Sequence, residues 1–149
     1  LETGSQRLAD IMKKGTRIDA ISSFLQHASS AGISCRCTMV LGYPGETSDD
    51  VQASADFLAR HTFEIERVSL NRLNIIAGTT LQRSIKSAPH KFKGITILQE
   101  DDAQALVKHQ NSVVGTLKHR RAVMHLLTEV HRINSRELSE RARDFEGVM

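Results

Sequence analysis

The loop Gly42-Tyr43-Pro44-Gly45-Glu46-Thr47 carries the richest chemistry in the chain. It follows an alternating run that reads as a strand and leads into a capped helical run. In α/β folds the carboxyl edge of a strand is where ligands bind. Two glycines allow close approach of backbone to a ligand, and a helix N-terminus favours anions. The Gly-Lys-Ser/Thr ending of a phosphate-binding P-loop is absent, and an ordinary strand-to-helix turn accounts for the same residues. Cys35 and Cys37 share one strand face. As metal ligands they need two more donors. With no Cys-x-x-Cys and no third cysteine, they read as core thiols. His119, His125 and His131 recur every six residues, about 240° apart around a helix, so they do not converge on a metal. Glu2, just before the first helical run, could hold a hydroxyl or an amine. Lys14 lies at the end of that run. Each says little alone.

The elements that must position these residues follow from periodicity. Ser5 to Lys14 reads as a short helix, with Leu8, Ile11 and Met12 on one stripe. Thr16 and Asp19 form a capping pattern for a second helix that stops at Gly32. Ile33 to Leu41 alternates as a strand. Thr47 and Asp50 open a helix to about His61, and Ile65 to Leu70 is a second strand. Asn71 to Thr79 reads as a loop and Thr80 to about Lys86 as a helix. Strands joined by helices argue for parallel crossover units. Residues 87–100 read as a linker with a short extended piece at Ile95–Leu98. Helices are expected from Ala103 to about Leu117, from Lys118 to Ile133, and from a Ser135 cap to about Phe145.

Composition narrows the classes of function. The 149 residues are 40% hydrophobic and 25% charged, which is globular composition. No run approaches the roughly 20 apolar residues of a membrane helix, and no signal peptide is visible. Two cysteines cannot staple a secreted fold, so a reducing, cytoplasmic setting is expected. Residues 51–100 hold seven basic against four acidic side chains, and no carboxylate falls between Arg67 and Gln99. Such a stretch can attract anions. Aromatic residues are only 4%, with no Trp, which argues against a nucleic-acid partner.

Three motifs in order resemble one family. Leu1-Glu2-Thr3-Gly4-Ser5, then Lys14-Gly15-Thr16, resembles the run after the fourth barrel strand of radical S-adenosylmethionine (radical SAM) enzymes. Gly42-Tyr43-Pro44-Gly45-Glu46-Thr47 resembles their fifth-strand signature. Ala77-Gly78-Thr79-Thr80-Leu81 resembles the Pro-Gly-Thr-x-Leu after the sixth strand, with Ala77 in place of Pro. The match covers residues 1 to about 86 and is best to the subgroup that often carries a cobalamin-binding domain upstream.

The resemblance implies an α/β fold: the C-terminal half of a partial (β/α)6 TIM-like barrel over 1–86, a linker at 87–100, and a helical extension at 101–149. It implies S-adenosylmethionine and a [4Fe–4S] cluster as cofactors, with cobalamin a further one. The cluster loop Cys-x-x-x-Cys-x-x-Cys is absent from this sequence. The chain is therefore expected to begin at the end of the fourth strand, to need the missing N-terminal half as partner, and to be inactive alone. By resemblance Glu2 would contact the ribose and Lys14 the cofactor's carboxylate. Thr38 would point into the barrel, and Gly42, Tyr43 and Pro44 would line the adenine side. Asn71 would sit at the mouth of the sixth strand. Cys35 and Cys37 would face the outer helices. The substrate is expected to be a small molecule, and the basic stretch from Arg67 to Lys93, if near the barrel mouth, would suit an anionic one. The alternative is a non-catalytic remnant or interaction module whose helical C-terminus is the working surface.

Overall fold

A computed structural model describes residues 1–92, 94–101 and 105–143, with every side chain except those of Val113 and Arg141. The first helix, α1, is Gln6–Ile11, capped by Ser5, whose hydroxyl accepts from Leu8 N. It ends earlier than the periodicity suggests, because Lys13 and Gly15 both take positive φ. Helix α2 is Ile18–Ser30. Its expected Thr16 cap does not form. Arg17 occupies the cap position with no side-chain bond, and Gln6 substitutes from α1. The Gln6 amide accepts from Ile18 N at 2.9 Å and donates to Thr16 O at 3.1 Å.

Strand β1, Cys35–Leu41, and strand β2, Ile65–Arg72, pair in parallel, joined by helix α3, Ser48–Arg60. Here the expected capping box is present: Thr47 and Asp50 satisfy each other's backbone N–H groups. On one face of this sheet Cys37, Met39 and Val68 are buried with Phe57, Leu58 and Leu25. Cys35 packs against the same cluster. The other face carries Arg36 and Thr38, and in register with Thr38 and Val40 lie Ser69 and Asn71. Thr38, Ser69 and Asn71 are exposed.

Among the described residues two parallel strands and one crossover are present, and a closed barrel is not. After β2 the chain forms a second sheet of antiparallel strands. Strand β3 is Ile75–Ile76, and helix α4, Thr80–Ser87, follows it. Strand β4 is Ile95–Asp101 and strand β5 is Leu106–Asn111, in the order β3-β5-β4. The expected helix from Ala103 to Leu117 is thus overturned for 106–111, and Ala103 itself lies outside the described residues. Pairing decides the matter. Val107 alternates inward beside Ile75 and Ile85, closing a small core that a helix would leave open. Within 87–100 lie a 3-10 turn at Pro89–Lys91 and the extended piece expected at Ile95–Leu98, which runs on to Asp101 as β4.

Helix α5, Leu117–Asn134, lies on α3 and β2 and buries Leu126 and Ile133 in the main core. Ser135 ends α5 instead of starting another helix: its N–H bonds to His131 O at 2.8 Å. A short α6, Glu140–Arg143, follows; the expected end at Phe145 lies outside the described residues. No helix among the described residues is long and apolar enough to cross a membrane.

Candidate functional site

The segment before α1 is tied to the carboxyl end of β1 on the edge away from β2. Glu2 O accepts from Val40 N at 2.9 Å, so residue 2 extends the sheet by one bond. Gly4 then presses against α3. A Cβ there would fall 2.7 Å from Phe57 Cβ and 2.8 Å from Ser54 Cα. Only glycine permits that approach. The Ser54 hydroxyl accepts from Gly4 N at 2.9 Å and shares a bond with Thr3 Oγ1 at 3.1 Å.

Asp50 knots this segment to the Gly42–Thr47 loop. Its carboxylate accepts from the Ser5 hydroxyl at 2.6 Å, from Thr47 N at 2.8 Å and from Thr47 Oγ1 at 2.7 Å. The Arg7 guanidinium pairs with it too and donates to Gly45 O at 2.8 Å. Burial pushes the Asp50 carboxyl up, but donors from Arg7, Ser5 and Thr47 outweigh it and hold it at about 2. Glu46 folds back over the loop, and both its oxygens accept from Gly42 N, at 3.0 and 3.1 Å. Buried and close to Asp50, its carboxyl rises to about 7, with the Gly42 bond opposing the rise. Gly42 itself has φ +90°, open to glycine and strained for other residues.

This scaffold gathers three of the residues singled out from the sequence. Lys14 Nζ lies 2.7 Å from Glu2 Oε1 in a half-exposed ion pair. Tyr43 feels both charges: burial raises its phenol, Lys14 lowers it and Glu2 raises it. A half-exposed ion pair contributes only about 0.2–1 kcal/mol to stability, so its placement matters more than its strength. Pro44 is buried beneath the loop. Thr38 and Asn71 sit apart from this trio, on the exposed sheet face.

Sequence reasoning missed Arg7 entirely and saw Asp50 only as a helix cap. Asp50 at the third helical position was the available signal; its links to Ser5 and Arg7 span more than 40 residues and leave no local trace. The two cysteines turn toward the helix-packed core, so they do not fit as cluster ligands. Among the described residues no three His, Cys, Asp or Glu side chains gather to hold a metal ion.

A parallel β–α–β unit makes this an α/β protein, and the carboxyl edge of such a unit is where ligands generally bind. No protein-family model matches the chain. It is 27% identical over 146 residues to the ribosomal protein uS12 methylthiotransferase RimO of Nocardioides sp., covering 93% of this chain and 26% of that relative. It is 30% identical over 91 residues to the same-named protein of Akkermansia muciniphila, covering 60% of this chain and 20% of that relative. The chain thus spans about a quarter or less of the length of these curated relatives. The likeness supports a relationship to radical SAM proteins.

Proposed function

We propose that this chain forms the second half of a radical SAM barrel and supplies contacts to S-adenosylmethionine. The Glu2–Lys14 pair beside Tyr43, at the carboxyl edge of β1, carries the reading. A carboxylate suits ribose hydroxyls, and an ammonium suits the cofactor's carboxylate. The backbone at Gly42 and the ring of Tyr43 would line the adenine, with Pro44 supporting the turn. Thr38 and Asn71, on the exposed sheet face, would front the barrel interior. Bound there, S-adenosylmethionine would supply radical chemistry, with the electron coming from a [4Fe–4S] cluster. The cluster's thiolates would come from a segment outside this chain, since Cys35 and Cys37 face the core.

Two features support a missing partner on the β1 side. Among the described residues, the β1 edge away from β2 is met by backbone only at Val40. The outer edge of β2 is met at Val68 by the Asn134 side chain, at the end of α5. An unpaired strand edge is a liability unless something covers it. The whole protein would be an enzyme of the radical SAM type. Methylthio transfer to a protein, the activity in the relatives' names, is the reaction to test first. No matched relative and no described residue points to cobalamin.

The test is anaerobic expression from the complete reading frame, with iron and sulfide reconstitution. Reduced protein given S-adenosylmethionine should release 5′-deoxyadenosine. Glu2→Gln and Lys14→Ala should each raise the cofactor's dissociation constant about tenfold, as expected for losing a charge-assisted bond. A folded protein with neither cluster absorbance nor product would overturn the reading and favour a non-catalytic interaction module.

A further inference from the structure

A cleft lies at the carboxyl end of the β1–β2 sheet, against α5. It has a volume of about 840 Å³ and opens between the carboxyl ends of β1 and β2, strand β5 and the first turns of α5. Leu41, Leu73, Val123 and Met124 supply apolar lining. Arg72 enters from the end of β2 and Arg120 from α5, with His109 and His119 beside them. No carboxylate lines it among the described residues.

Several cations nearby are engaged. Lys118 pairs with Asp49 at 2.8 Å, and Arg132 with Glu129 at 3.2 Å. Arg136 donates to the backbone at Ile65 O. The guanidinium groups of Arg72 and Arg120 have no such partner among the described residues. Two cations sharing a cleft without a counter-charge repel one another, and an anion between them relieves that cost. His119 adds an independent sign. It is 2% exposed, and its Nδ1 has no hydrogen-bond partner among the described residues. A buried polar atom left unpaired calls for a functional explanation. Volumes of about 300–1,000 Å³ with apolar walls and a few polar groups are typical of small-molecule sites.

We infer that this cleft binds an organic anion, with its carboxylate or phosphate held by Arg72 and Arg120 and its apolar body against Val123 and Met124. Guanidinium groups suit either head group, since both accept paired N–H bonds. The cleft shares Gly42 with the adenine side proposed above, but the argument for it does not rest on the radical SAM reading.

Amide chemical shifts of the 149-residue chain, followed during titration, test this. Two matched pairs serve as probes: adenosine monophosphate against adenosine, and hexanoate against hexanamide. The expected result is saturable shifts at Leu73 and Val123–Met124, away from the Gly42–Tyr43 turn, for at least one anion, with a dissociation constant below about 1 mM. Its neutral partner should bind at least about tenfold more weakly. Preference for the monophosphate identifies a phosphate site, and preference for hexanoate a carboxylate site. Arg72→Gln with Arg120→Gln should weaken binding about tenfold or more while leaving the remaining spectrum folded, because both side chains are exposed. Any one of four results would overturn the inference: no saturation by about 10 mM, equal binding of both neutral partners, undiminished binding in the double variant, or shifts confined to Glu2, Lys14 and Tyr43.

Discussion

Asn134 closes the outer edge of β2 by pairing both ends of its amide with Val68. Its Oδ1 accepts from Val68 N at 2.8 Å and its Nδ2 donates to Val68 O at 2.8 Å. A side chain at the end of α5 thus does what a neighbouring strand would do. Arg136 continues the cover with a bond to Ile65 O. The edge is covered at Val68 and Ile65 without another strand, which hinders pairing with other chains there.

Asn134→Leu should remove both bonds and leave the Val68 peptide groups unpaired beneath α5. The expected loss is about 1–3 kcal/mol. Urea unfolding would read it as a lower midpoint at unchanged slope. An unchanged midpoint would mean that water replaces the amide without cost.

Asp50 makes the fold sensitive to acid. Its carboxyl is held at about 2 in the folded chain against 3.8 unfolded. Its contribution is therefore fully present above the unfolded value and is lost as pH falls through the folded one. Between about pH 4 and pH 2 the wild-type chain should lose stability faster than Asp50→Asn does. At pH 7 the same variant should be less stable by about 1.5–3 kcal/mol, the range for hydrogen bonds to a charged group. Acid titration followed by circular dichroism checks the first expectation, and urea unfolding the second.

Glu46 acts in the opposite direction. Its carboxyl rises from 4.5 to about 7 on folding. A raised acid binds more protons folded than unfolded, so its contribution is present below about 4.5 and lost as pH rises through about 7. Glu46→Gln keeps an oxygen for Gly42 N and removes the titration. Relative to wild type, the variant should gain stability on going from pH 5 to pH 8. Denaturant unfolding at those two values is the measurement, and a constant difference between the proteins would contradict it.

Gly4→Ala should cost about 1–3 kcal/mol, because the added methyl meets α3 head on. The nearest atoms, Phe57 Cβ and Ser54 Cα, belong to a packed helix and cannot swing away. A lower melting temperature is expected. Retention of the wild-type value would show that the segment before α1 can lift from α3.

The sequence by itself determined what short spacing controls. The Thr47–Asp50 capping box, β1, α3, β2 and the glycine turn between Gly42 and Gly45 were legible, because each depends on neighbours within a few residues. So was the direction of Cys37 into the core, which alternation dictates. Thr16 misled, because its capping pattern lost to Gln6, a residue one helix earlier. The run from Leu106 to Asn111 misled because its helical spacing yielded to pairing with Ile75 and β4. The tertiary structure alone decided that Asp50 would bind Ser5 and Arg7, that Asn134 would complete β2, and that Arg72 and Arg120 would share a cleft. Those partners lie tens of residues apart, and only packing of the helices on the sheet brings them together. Local periodicity carries no information about such meetings, since their free energy is realised only when the whole core closes.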